Sequence, residues 1–178
     1  MLKLKHTLVL LAALIAVLPA YSRNINKKFT YFSSEGGALF YVYPQKMPKT
    51  ADCVAKKPLT YDVTYLASGD SVSITAYLIT KERYSFSQAK VMLSDKVLAT
   101  DNIEIIFIDI KGKKYVNRLR FKVHRNVFNA MLDSLVPFTL DYGYGCTFRF
   151  ADKKWKSVQQ DLHDIFITID SMKVGSTN

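Results

Sequence analysis

Cysteine, histidine, proline and glycine are all scarce in this chain of 178 residues, which has 2 Cys, 3 His, 5 Pro and 7 Gly. Two cysteines cannot build a dense disulfide scaffold, and seven glycines exclude a collagen-type repeat. No serine sits in a nucleophile elbow, no histidine pair has helical metal spacing, and no glycine-rich phosphate loop is present. Gly143-Tyr144-Gly145 is only a two-glycine fragment, and its sequel, Phe148 to Phe150, reads as strand rather than as the start of a helix. No repeat is visible, and no linker rich in proline, glycine or serine splits the chain.

What is present is a packable core with a basic surface. Apolar residues make up 49% and charged residues 22%, which excludes a disordered tail protein. Eleven Tyr and eleven Phe, with many Thr, Val and Ile, tilt the composition toward strands. Twenty-five Lys and Arg against 15 Asp and Glu leave a charge of +10.

The first 22 residues read as a secretory signal peptide. Lys3 and Lys5 precede an apolar run from Leu8 to Leu18, and Ala20-Tyr21-Ser22 supplies small residues for cleavage after Ser22. The run is about half the ~20 residues that span a bilayer, so a cleaved leader fits better than an anchor. No cysteine comes after it to carry a lipid. The lysine-led leader and the lack of an Asn-x-Ser/Thr site suggest a bacterial periplasm or exterior, with residues 23–178 as a single β-rich domain and no transmembrane segment after processing. The leader would remove two lysines and no acid, so most of the basic excess belongs to that domain.

In an oxidising compartment Cys53 and Cys146 are candidates for a disulfide, whose long loop would make it worth ~4–5 kcal/mol in the chain-entropy view. The alternative is that Cys146 is a small core residue. A catalytic thiol there would lack any evident positive neighbour to lower its pKa.

Strand patterns dominate the rest. Leu59 to Ile79 predicts a hairpin turning at Gly69-Asp70, with Tyr65 opposite Ile74, Val63 opposite Ala76 and Tyr61 opposite Leu78. Ile103 to Ile110 is apolar on both faces, as a central strand covered twice would be, and it turns at Lys111–Lys114 into a strand ending at Val123. On that returning strand Leu119, Phe121 and Val123 face one way, and Arg118, Arg120, Lys122 and His124 the other. Phe138 to Phe150 alternates as one long strand with an aromatic face, bending near its glycines. Weaker strands are expected at 29–33, 38–43, 84–93 and 165–170, with Glu35-Gly36-Gly37 turning the first two into a hairpin. The stretch from Pro44 to Pro58 reads as the least structured. Helical spacing appears at Asn126–Leu135, with Asn126 as cap, and more weakly at Lys153–Asp161, capped by Asp152. The expected fold is mainly β: a single antiparallel β-sandwich or partly open barrel with one or two short helices inserted near the C-terminal third.

Three constellations bear on function. The basic stripe Arg118, Arg120, Lys122, His124 and Arg125 suits an anionic envelope component, either polysaccharide or lipid headgroup, or a partner protein, with Tyr115 or another aromatic for stacking. The same stripe reads alternatively as a solvated outer face or as an edge strand protected by charge. The aromatic row from Phe138 to Phe150 would line the cavity of an apolar-ligand carrier, or simply be core. Asp161, His163 and Asp164 form the most enzyme-like cluster, a remote basis for a metal-dependent or acid/base hydrolase, or an ordinary solvated helix end. No catalytic or metal-binding residue and no cofactor is assigned. Binding or structural support is favoured over catalysis, and specific nucleic-acid binding is disfavoured because the chain has no recognisable module for it.

Overall fold

A computed structural model of the chain describes residues 24–34, 37–50, 53, 55–98 and 103–174. The proposed leader and its cleavage point, and most of the Glu35-Gly36-Gly37 turn, lie outside the described residues. The fold is mainly β, with two antiparallel sheets that do not close into a barrel.

Six strands make the larger sheet: β1 (Phe29–Ser34), β2 (Gly37–Met47), β3 (Leu59–Leu66), β4 (Ser71–Thr80), β7 (Glu104–Ile110) and β8 (Tyr115–His124), in the order β1-β2-β3-β4-β8-β7. The smaller sheet has the order β10-β9-β5-β6, from β5 (Lys90–Leu93), β6 (Lys96–Val97), β9 (Phe138–Asp141) and β10 (Thr147–Arg149). Helix α1 (Arg125–Asp133) continues directly from β8, and α2 (Asp152–Val174) ends the described chain.

The inner face of the six-stranded sheet carries the core. Tyr61 meets Phe138 and Phe150 edge-on, Phe121 meets Tyr142, and Tyr65 meets Phe166 of α2. The smaller sheet and α2 therefore both pack on this one face. Trp155, fully buried, stacks on Phe150, takes Phe138 edge-on and donates its indole N–H to the Ser134 carbonyl. Cys53 and Cys146 are joined in a disulfide, tying the segment after β2 to the β9–β10 connection.

Several expectations from the sequence are corrected. The β3–β4 turn uses four residues, Ala67 to Asp70, with Gly69 donating back to the Leu66 carbonyl. Tyr65 therefore faces Val72, Val63 faces Ile74 and Tyr61 faces Ala76. The displacement is two residues, an even number, so every side chain keeps its face. Strand β7 is an edge and not a twice-covered centre: nothing described pairs with its outer side, and Ile105, Phe107 and Ile110 are exposed.

The segment from Phe138 to Phe150 is a hairpin and not one strand, because Gly143, Tyr144 and Gly145 all take positive φ and reverse the chain. Phe138, Leu140, Tyr142, Cys146, Phe148 and Phe150 nevertheless stay buried, while Tyr144, of the same parity, is carried by the turn into an exposed position. Only 90–93 of the expected 84–93 strand forms, and Phe86 just before it has φ of 55°. Residues 165–170 belong to α2, which is far longer than expected, because Trp155, Val158, Leu162, Ile165, Phe166 and Ile169 form one buried stripe at helical spacing. In α1 the cap is His124, whose Nδ1 accepts from the Asn126 amide, and Leu135 lies beyond the helix at 85% exposure. Strand β2 runs on through Pro44 to Met47 with a register shift between Val42 and Gln45, so the first part of the stretch expected to be least structured is strand, while the described residues from Pro48 to Pro58 hold only an isolated bridge at Lys49.

Candidate functional site

The outer face of the six-stranded sheet is set by the alternation of its strands. On β8, Arg118, Arg120 and Lys122 point away from Leu119, Phe121 and Val123, which are buried. Register then decides their neighbours. Arg118 lies between Tyr77 of β4 and Phe107 of β7, Arg120 between Thr75 and Glu104, and Lys122 beside Ser73. One strand further in, Thr60, Asp62 and Thr64 of β3 face Tyr77, Thr75 and Ser73, and Tyr41 of β2 faces Thr64. No described element covers this face.

The sequence-derived stripe divides into two places. Arg118, Arg120 and Lys122 share the outer face as expected. His124 ends the strand, spends Nδ1 on capping α1, and brings Nε2 to 3.7 Å from Asp70. Arg125 leaves the face altogether. As the first residue of α1 its guanidinium lies over Phe166 at 4.2 Å and Tyr65 at 4.8 Å and pairs with Asp170 at 2.9 Å. Its side chain is 14% exposed, and Nη1 has no hydrogen-bond partner among the described residues. Arg125 thus fastens the helices to the sheet and borders a hollow of about 160 Å³ that also involves Asp133, His163 and Asp170.

Sequence reasoning missed the centre of the outer face. Asp62 is 3% exposed, without a hydrogen bond or close ion pair among the described residues. Burial raises its carboxyl above the ordinary value, and the charges of Arg118 and then Arg120 oppose that rise without cancelling it. Tyr41 beside it is raised too, first by burial and then by the Asp62 charge and Tyr77, with Arg118 acting the other way. Register gathers the same groups: Thr64 and Thr60, two residues either side of Asp62 on β3, face Tyr41 and Tyr77, Tyr41 meets Tyr43, and Tyr77 faces Arg118.

The rings of this face form two pairs flanking Asp62. Tyr41 and Tyr43 meet edge-on at 5.9 Å, and Tyr77 meets Phe107 at 6.4 Å. Arg118 lies over Tyr77 at 4.8 Å, while Arg120 donates to Glu104 at 3.0 Å. Tyr115, the stacking partner suggested by sequence, has the parity of Asn117 and Leu119 and so belongs to the opposite face. The signal that would have found Asp62 is slight: it is the one carboxylate in a strand otherwise made of apolar and hydroxylic residues.

The other constellations resolve differently. Asp161 pairs with Lys28, His163 lies 3.7 Å from Asp133, and Asp164 accepts from Gln160, so the three residues take separate partners along α2. Among the described residues no group of three or more His, Cys, Asp or Glu side chains could hold a metal ion. The aromatic row packs ring against ring, with Tyr142 held edge-on by Phe86, Phe121 and Phe148. Tyr142 is fully buried, its hydroxyl lacks a hydrogen-bond partner among the described residues, and burial pushes its pKa well up. Cys146 is in the disulfide and is not a free thiol.

Fold and face together define a two-sheet antiparallel β domain with one broad face of basic and aromatic side chains that no described element covers. No protein-family model, no curated protein and no solved structure matches the chain.

Proposed function

We propose that this is an exported binding module that takes an anionic component of the bacterial cell envelope on the outer face of its six-stranded sheet. The observation that carries the reading is the row Arg118, Arg120 and Lys122, in register with Tyr77 and Phe107 and uncovered by any described element. Three cations along ~14 Å of one strand produce a positive strip that a polyanion can track. Arg118 lies over the Tyr77 ring, and Lys122 is exposed. Arg120 shares its charge with Glu104, so the strip attracts without being uniformly cationic.

The cysteine pair supports the export part of the reading, since disulfides persist in oxidising compartments. Among the described residues no helix is long and apolar enough to cross a membrane.

Replacing Arg118, Arg120 and Lys122 together with Ser abolishes retention on an anionic matrix if this strand carries the interaction, and unchanged retention removes the reading. Because two of those residues also ease the burial of Asp62, the exposed Lys122→Glu variant provides a second test: it weakens retention without disturbing the core. A control in Lys153, Lys154 and Lys156 at the start of α2 leaves retention intact.

A further inference from the structure

We infer that the ligand of the outer face is an extended anionic polysaccharide rather than a lipid headgroup or a polyphosphate, an inference that rests on the anion-binding reading above. A surface built only to hold phosphate has no use for a carboxylate at its centre. Asp62 sits there, nearly buried, between the two ring pairs and under the influence of both arginines, with no hydrogen-bond donor of the protein committed to it among the described residues. It repels any simple polyanion. A sugar hydroxyl, by contrast, is a neutral donor that a carboxylate accepts from well.

The rings point the same way. Tyr41 and Tyr43 on β2, Tyr77 on β4 and Phe107 on β7 lie on one face across five adjacent strands, a span of about 19 Å at the ordinary strand spacing. Aromatic faces stack on the C–H faces of sugar rings and have nothing comparable to offer a phosphate. A single headgroup would use a fraction of that span, whereas a glycan chain lying across the strands meets successive rings. Where it crosses β8 its uronate or sulfate groups meet Arg118 and then Arg120, with Lys122 one step further along the strand, and its hydroxyls fall to those of Thr60, Thr64 and Ser73 and to the small exposed part of Asp62 on the floor between the ring pairs. The mixture of carboxylate, guanidinium, hydroxyl and ring on one flat face is that of a charged sugar polymer site.

The test compares three probes on the full mature chain: polygalacturonate, inorganic polyphosphate, and vesicles of phosphatidylglycerol in phosphatidylcholine. The wild type binds polygalacturonate at least about tenfold more tightly than the other two at equal charge concentration. Asp62→Asn, nearly the same in shape, gives the sharpest separation: it weakens polygalacturonate binding and strengthens polyphosphate binding, because an acceptor is lost and a repulsion removed. Tyr43→Leu with Tyr77→Leu weakens polygalacturonate about tenfold and leaves polyphosphate within about twofold. If Asp62→Asn strengthens all three probes alike, or the ring variant changes none, the polysaccharide inference is overturned while anion binding stands. If polyphosphate or vesicles bind best, the ligand belongs to that class instead. If no probe binds the wild type, or the Ser triple variant binds all three as the wild type does, the anion-binding reading itself has failed.

Discussion

Arg118 and Tyr77 are direct register partners across β8 and β4, and the guanidinium carbon lies 4.8 Å from the centre of the ring. The contact holds the half-buried side chain against the ring and keeps its charge near Asp62, whose carboxyl it favours in the ionised form. Tyr77→Leu is expected to cost about 0.5–1 kcal/mol of stability, and a double-mutant cycle with Arg118→Ser should show coupling of that order. Tyr77→Phe keeps the ring and should restore most of it, as read by denaturant unfolding.

Asp62 is expected to make stability pH-dependent in an unusual direction. Its carboxyl titrates above the ordinary 3.8 in the folded state. The folded protein therefore holds that proton more tightly than the unfolded chain, and ionisation of Asp62 costs stability at neutral pH. Asp62→Asn should stabilise at pH 7 by about 1 kcal/mol or less. The advantage should shrink as pH falls through the raised folded value, and vanish below 3.8. Parallel urea unfolding of the two proteins across that window would show it; a difference that stays constant with pH would contradict it.

Arg125 should behave as a structural residue despite coming next after the stripe in sequence. Its guanidinium joins Asp170 and lies over two rings, from a side chain only 14% exposed. Arg125→Ala is expected to lower stability by ~2 kcal/mol. Retention on an anionic matrix, measured where the variant is folded, should match the wild type. A variant as stable as wild type but poorly retained would place Arg125 in the binding face after all.

The Cys53–Cys146 link spans 93 positions of sequence. Replacing both residues with Ser should cost ~2–5 kcal/mol. The wild type should lose a similar amount in reductant, while the variant should be indifferent to it, which separates loss of the link from loss of packing at Cys146.

Legibility of this fold in the sequence depended on how much of it is local. The alternation of β8 was readable because one face is buried and the other meets water, so parity alone separates Phe121 from Arg120. Parity also survived where topology did not. Phe138 and Phe150 share a face whether 138–150 is one strand or two, and the turn built on positive φ at Gly143, Tyr144 and Gly145 removes only Tyr144 from the expected inward row, exposing it at the hairpin tip. Strand β7 misled because apolar residues on both faces say nothing about how many strands pair beside them. Ile165 to Asp170 misled because its β-branched residues favour a strand locally, while packing of Ile165, Phe166 and Ile169 in line with Trp155 decides for a helix.

The candidate site was half legible for the same reason. Arg118, Arg120 and Lys122 sit on one strand and were visible as a stripe. Tyr41, Tyr77, Phe107 and Asp62 come from four other strands, and only register brings them alongside. Asp62 looks like one more outward polar residue until the large side chains on neighbouring strands bury it. Arg125 looked like part of the stripe, but the chain turns into α1 there and carries it to the other side of the sheet.

The most direct test of the account is an NMR titration of isotopically labelled protein spanning residues 23–178 with polygalacturonate, tracking amide shifts residue by residue. The account predicts changes concentrated along β8 around Arg118, Arg120 and Lys122 and on the facing positions Tyr77, Asp62 and Tyr41. Changes gathered instead at Lys153–Lys156 or around the hollow beside Arg125 and His163, with the sheet face silent, would contradict it.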